Sequence, residues 1–197
     1  MKTLVLFGDS ITAGYGEEAI TPILQNLIAA DLAEQALEAL RIINAGMPGD
    51  TTEDALKRLK SEVLAVNPEL VTVFFGANDT NSERLVPLEN YIKNLQEMIQ
   101  AIGKEKVLLL TPPYVDCARK PTRNDERIQQ YVNQVIALGK QQEIPVINLY
   151  QAMVNYPGTN EFLQKDGLHF SKSGYELLAA LIVREIKGRL KTNTNVN

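Results

Sequence analysis

His169 is the only histidine in this 197-residue chain, and it stands in Asp166-Gly167-Leu168-His169. Imidazole is the side chain whose ordinary pKa lets it move protons near neutral pH. A carboxylate three residues earlier, across a turn made supple by Gly167, can bond one ring nitrogen and leave the other free. Such a pair serves a nucleophile, and the candidate lies at the far end of the chain. Ser10 follows Gly8-Asp9, where a short apolar run stops. A serine hydroxyl becomes a nucleophile when a base takes its proton, and His169 is the one imidazole available. Ser10, Asp166 and His169 therefore make a nucleophile, orienter and base in the chain order Ser…Asp…His. Each fragment also has an ordinary reading, since Gly-Asp-Ser is a common cap or turn and Asp-Gly a common turn dipeptide.

Five short runs rich in branched apolar residues must position these groups. They are Thr3–Phe7, Leu40–Asn44, Leu70–Phe75, Lys106–Leu110 and Ile144–Leu149. Near-continuous apolar runs of this length suit parallel strands covered on both faces. Helical patterns alternate with them: Ile23 to about Leu37 behind Thr21 as N-cap and Pro22 at the first helical position, a stretch capped by Thr51 or Thr52 and ending before Pro68, Pro87–Ile102 stopped by Gly103, Asn124 to about Gln141, and Lys172 to Leu190 behind Ser171. Pro121–Asp125 reads as a mobile surface loop. Strand-helix alternation with right-handed crossovers predicts a flavodoxin-like, three-layer α/β/α domain over residues 1–190, its five-stranded parallel sheet ordered 2-1-3-4-5. Residues 191–197 read as a polar C-terminal tail.

In such sheets ligands sit beyond the carboxyl ends of the strands, at the switch point between the first and third. Ser10 ends the first strand, Gly49 follows the second and Asn78 follows the third, so one edge should gather all three. Acyl transfer builds negative charge on a carbonyl oxygen, and donors aimed there are commonly the largest catalytic contribution. The Ser10 N–H, the Gly49 N–H and the Asn78 side-chain amide could supply them. Taken singly, Gly49-Asp50 is a turn and Asn78-Asp79 a strand terminator.

Composition narrows the classes. The net charge of −4 argues against an electrostatic grip on nucleic acid. One cysteine, Cys117, leaves no internal disulfide and no Cys-rich zinc site, and its loop position far from His169 makes it incidental. No apolar stretch approaches a membrane span, and no signal segment precedes the first strand. A cytoplasmic enzyme is the expectation, and a homo-oligomer is left open.

Gly8-Asp9-Ser10-Ile11-Thr12, Asn44 through Thr52, Gly76-Ala77-Asn78-Asp79 and Asp166-Gly167-Leu168-His169 resemble the four blocks of the SGNH hydrolases, also called GDSL lipases and acylhydrolases. Ile11 stands at the leucine of that name, a conservative change. Phe74 through Asp79, Val86 through Tyr91, Thr111-Pro112-Pro113 and Leu163 through His169 are similar to the isoamyl acetate-hydrolysing esterase branch. The resemblance implies Ser10 as nucleophile with Asp166 and His169, an oxyanion hole of Ser10, Gly49 and Asn78, and no metal or organic cofactor. It implies a serine esterase for small, short-acyl esters, with sugar O-acetyl groups, thioesters and lysophospholipids as alternatives. Tyr15, Met47, Pro48, Thr80, Pro113, Tyr114 and Leu168 adjoin the catalytic turns and are candidate pocket walls. Two rivals carry less: a divalent-metal phosphoryl-transfer site built on Asp9, Asp50, Asp79 and Asp166, and a binding module without turnover.

Overall fold

In the computed structural model, which describes residues 2–34 and 40–194, β1 (Thr3–Gly8) lies between β2 (Arg41–Gly46) and β3 (Leu70–Phe74), followed by β4 (Val107–Leu110) and β5 (Val146–Ile147). The five-stranded sheet is parallel in the order β2-β1-β3-β4-β5, as the alternation predicts. Every residue of β1 is buried, which suits a strand with neighbours on both sides and helices on both faces. The edge strand β2 is only half-buried along most of its length.

Alternation along the strands builds two cores. Leu4, Leu6, Leu108 and Leu110 face one way, against α2 (Ile23–Glu34), α6 (Leu149–Val154) and α7 (Lys172–Thr194). Val5, Phe7, Val71, Val73, Val107 and Leu109 face the other way, against α3 (Thr52–Arg58) and α4 (Leu88–Ile102). The helix α5 (Asp125–Gln142) serves both, sending Ile128 and Val132 to the first core and Tyr131, Val135 and Leu138 to the second. Full burial of each such side chain contributes roughly 1.5–3 kcal/mol, so the sheet's position is set by apolar pattern.

Differences from the sequence reading lie at element ends. The fifth strand is two residues long rather than six. Pro145 brings no N–H to the ladder, and the Asn148 side chain accepts from the Gln151 N–H at 3.0 Å, turning the chain into α6. At α2 the Pro22 carbonyl already accepts from Asn26, so Pro22 rather than Thr21 holds the capping position. The stretch 35–37 expected to continue it lies outside the described residues. Thr51, not Thr52, caps α3, its N–H and hydroxyl both donating to Asp54 Oδ2. The last helix runs through Thr194, so the first residues of the expected tail are helical, and 195–197 lie outside the described residues. The segment expected to be a mobile loop is tied down: Arg123 is buried and its Nε donates to the Ala77 carbonyl at 2.6 Å, while the Thr122 carbonyl takes the Ser82 N–H.

One close approach decides where the first turn goes. A short helix the sequence reading missed, α1 (Ser10–Ala13), crosses the ends of β1 and β2. A Cβ on Gly46 would lie 2.2 Å from the Ala13 nitrogen, and one on Gly8 would lie 2.0 Å from Thr12 Oγ1. Backbone atoms cannot yield as a side chain can. Gly46→Ala is therefore expected to destabilise the protein by about 1–3 kcal/mol, the range for overpacking, measured as a lower urea midpoint. An unchanged midpoint would show that α1 does not press on the strand end.

Candidate active site

The first turn is built by capping. Asp9 Oδ1 accepts the Ile11 N–H at 2.9 Å, starting α1, and Gly14 closes it in the left-handed region. This four-residue helix lifts Ser10 off the strand end while leaving it 6% exposed. Asn44 staples the turn to β2, with its Nδ2 donating to the Thr12 carbonyl at 2.8 Å and its Oδ1 accepting the Gly46 N–H at 2.9 Å.

The second turn, Met47-Pro48-Gly49-Asp50, closes through the Asp50 N–H to the Met47 carbonyl at 3.2 Å. Pro at its second position and Gly49 at φ +83° at its third make it a type II turn, which requires the left-handed residue. Gly49 is thus a turn glycine as well as a backbone group at the site edge. Its carbonyl is held by Arg84 Nη1 at 3.1 Å. Arg58 anchors the same region: its guanidinium donates to the Gly8 and Ala45 carbonyls at 2.8 and 2.7 Å and to Asp50 Oδ2 at 2.5 Å. In the third turn the Asn78 amide donates to the Asp50 carbonyl at 3.0 Å and faces Asp9 Oδ2 at 3.4 Å. The Ser10 and Gly49 N–H groups have no acceptor among the described residues.

The fourth turn arrives from the other end of the chain. The Asp116 N–H binds the Gly167 carbonyl at 2.9 Å, and a bridge between Leu163 and Phe170 closes the base of the loop. Asp166 Oδ1 accepts the Leu168 and His169 N–H groups, both at 3.0 Å. Its Oδ2 lies 2.6 Å from His169 Nδ1, and His169 Nε2 lies 3.0 Å from Ser10 Oγ. The three side chains expected to act together form one continuous hydrogen-bonded line. With the carboxylate on Nδ1–H, the unprotonated Nε2 faces the hydroxyl, the arrangement needed to take its proton.

Electrostatics favour that state at neutral pH. Burial pushes the His169 pKa below its ordinary 6.5, against the pull of Asp166, with Lys120 and Arg123 adding to the depression. The acidic transition therefore lies below the ordinary imidazole value of 6.5. Desolvation acts to raise Asp166, but the Leu168 and His169 N–H groups and the imidazole outweigh it and hold the carboxyl below its usual range.

The carboxylates invoked for a metal site do not converge. Asp9 caps α1, Asp50 pairs with Arg58, Asp166 takes the imidazole, and Asp79 Oδ1 accepts the Thr52 N–H and hydroxyl at 2.9 and 2.6 Å. No group of three or more His, Cys, Asp or Glu among the described residues is arranged to hold a metal ion. The half-buried Cys117 Sγ leans on the Val115 carbonyl, and burial raises its pKa, keeping it a thiol.

Candidate walls divide. Met47, Pro48 and Tyr15 are exposed beside the turns, and the Tyr15 ring lies on the His169 ring. Thr80 is fully buried with its hydroxyl on the Gly76 carbonyl at 2.9 Å, so it braces the Asn78 turn and cannot touch a ligand in solvent. Pro113 and Leu168 are also buried, and the half-buried Tyr114 turns toward Tyr150. Adjacency in sequence suggests the mouth for all seven, whereas burial separates Thr80, Pro113 and Leu168 from the exposed Tyr15, Met47 and Pro48. Arg58, Arg84, Arg123 and Gln164 escaped the sequence reading because their spacing has no local period and their partners are distant backbone groups.

Comparison with known proteins gives the family. The sequence profile of the GDSL-like lipase/acylhydrolase family matches residues 6–177. A human protein named isoamyl acetate-hydrolyzing esterase 1 homolog is 32% identical over 89% of this chain and 77% of its own length. The Saccharomyces cerevisiae isoamyl acetate-hydrolyzing esterase is 28% identical over 94% of this chain and 86% of its own. Among solved structures, a lipase/acylhydrolase from Enterococcus faecalis is 57% identical, with a TM-score of 0.94 over 96% of this chain and 97% of that one. The acetyl xylan esterase AlAXEase is 26% identical, with a TM-score of 0.78 over 93% and 99% of the two chains. A profile spanning most of the chain, and a relative sharing nearly a third of its residues, leave one conclusion: this chain belongs to the GDSL-like lipase/acylhydrolase family.

Proposed function

We propose that this protein hydrolyses small, short-acyl carboxylic esters through an acyl-enzyme at Ser10. The observation that carries the reading is the unbroken line from Ser10 Oγ through His169 to Asp166, with contacts of 3.0 and 2.6 Å. His169 Nε2 takes the hydroxyl proton as Ser10 Oγ attacks the ester carbonyl. Negative charge on the carbonyl oxygen is met by the Ser10 and Gly49 N–H groups and by the Asn78 amide, which the Asp50 carbonyl orients. The tetrahedral intermediate collapses, the C–O bond to the alcohol breaks, and His169 returns the proton to the leaving oxygen. Water then attacks the acyl-enzyme with the same proton transfers, releasing the acid and restoring Ser10. Asp166 keeps the proton on Nδ1 and stabilises the imidazolium. Every group in this cycle is a side chain or backbone amide of the chain, so the reading calls on no cofactor.

The short-acyl preference draws support from relatives named for isoamyl acetate and acetyl xylan. A cytoplasmic setting belongs to the same reading, and no helix among the described residues is long and apolar enough to cross a membrane. A panel of nitrophenyl esters of rising acyl length, run beside an O-acetyl sugar, an acyl thioester and a lysophospholipid, tests the substrate class. The expected profile falls steeply beyond butyryl; a preference for long acyl chains would overturn it.

A fluorophosphonate probe is expected to label Ser10 in the folded protein and to leave Ser10→Ala unlabelled, while the variant keeps the wild-type melting transition. Labelling that persists in Ser10→Ala would remove Ser10 from the mechanism. Asp166→Asn is expected to reduce kcat on the order of 10⁴-fold, because an amide can fix the wrong imidazole tautomer. An unchanged kcat would reduce Asp166 to a turn residue. The kcat/KM profile is expected to be flat through neutrality and to fall on acidification with an apparent pKa below 6.5, since burial favours the neutral base. A limb above 6.5 would contradict the buried geometry.

A further inference from the structure

The Tyr15 ring lies nearly parallel to the His169 ring, with centroids 4.1 Å apart and planes 24° from one another. Tyr15 is 39% exposed, so its ring covers the imidazole from the solvent side. Its backbone is held with unusual redundancy. The Tyr15 N–H donates to the Ser10 carbonyl at 3.0 Å, and its carbonyl accepts from Gln164 Nε2 at 2.9 Å and the Tyr175 hydroxyl at 3.3 Å. Gln164 Nε2 also donates to the Phe170 carbonyl at 2.8 Å, and the Gln164 N–H binds the His169 carbonyl. One glutamine thus ties the Tyr15 backbone to both sides of the loop that carries His169.

We propose that Tyr15 is a positioning residue for His169, holding the imidazole plane between Ser10 and Asp166 and stabilising the imidazolium as it forms. The inference rests on His169 acting as the base in the reading above. Rotating the ring about its Cβ–Cγ bond would break the Ser10 and Asp166 contacts and lift it from the Tyr15 face. The charged and titratable groups acting on His169 are Asp166, which favours the imidazolium, and Lys120 and Arg123, which disfavour it along with burial. The electron-rich face of Tyr15 is therefore a second source of support for a charge otherwise opposed by two cations. Because that charge exists in the transition state and not in the resting enzyme, the benefit falls on kcat.

Tyr15→Leu keeps an apolar cover and removes the aromatic face. On a small acetate ester it is expected to lower kcat roughly three- to tenfold with little change in KM, and to move the acidic limb of kcat/KM down by roughly half a pH unit. Tyr15→Phe should resemble the wild type in both. A raised KM with unchanged kcat and limb would make Tyr15 a substrate wall only and overturn the proposal. A second measurement needs no variant. His169 is the sole histidine, so its ring Hε1 signal can be followed alone by NMR. Stacking predicts an upfield ring-current shift and a nuclear Overhauser contact with the Tyr15 ring in the wild type; absence of both would sink the idea. These readouts are separate from Ser10 labelling, so a failed stack and a failed nucleophile can be told apart.

Discussion

The architecture of the site depends on two strand ends that carry no side chain. Gly8 and Gly46 are paired across β1 and β2, and α1 passes over them within distances that exclude a Cβ. That approach brings the Ser10 turn down onto the sheet edge, where Asn44 and Arg58 can bond to it. Arg58 reaches the Gly8 and Ala45 carbonyls together, the former also taking the Met47 N–H, and its guanidinium lies over the Phe7 ring. The position of Ser10 is in this sense a packing outcome: the strand ends, the crossing helix and the arginine each leave the others little freedom.

Beneath the turns lies a set of carboxyl groups kept from water. Burial lifts the Asp9 pKa from 3.8 to about 7, against the Ile11 N–H and with help from the Asp79 and Asp50 charges, and lifts Asp79 to about 6. A folded pKa above the unfolded one means the folded protein holds the proton more tightly. These groups therefore lend most stability in acid, and that contribution erodes as pH rises from about 4 to about 7. His169 acts in the opposite sense, since its depressed pKa costs stability as pH falls below 6.5. The same low-dielectric setting that weakens stability at high pH strengthens the hydrogen bonds made within it. Arg123, buried against the Ala77 carbonyl, is the nearby cation that tempers Asp9.

Two solved structures, one of them with more than half its residues identical, share this fold. What they need not share is the rim. Met47 projects from a turn whose backbone is set by Pro48 and Gly49, so its exposed side chain can vary without disturbing that backbone. Tyr15 differs in kind, because its exposed ring also lies on the His169 ring.

The sequence alone determined the alternation of strands and helices, and hence the sheet order, because buried parallel strands leave continuous apolar runs and the crossover rule leaves few topologies. It also determined the meeting of Ser10, Gly49, Asn78 and the Asp166–His169 pair, since each ends or follows a strand at one edge or closes the loop before the last helix. Other features were decided only by tertiary structure. The burial of Leu168 in the core and the pinning of Arg123 on the Ala77 carbonyl depend on partners far away in the chain. The stack of Tyr15 on His169 is of that kind. Nothing local marks one tyrosine as an imidazole's neighbour, because 154 positions separate them and only the closed fold brings Gln164 across to hold both.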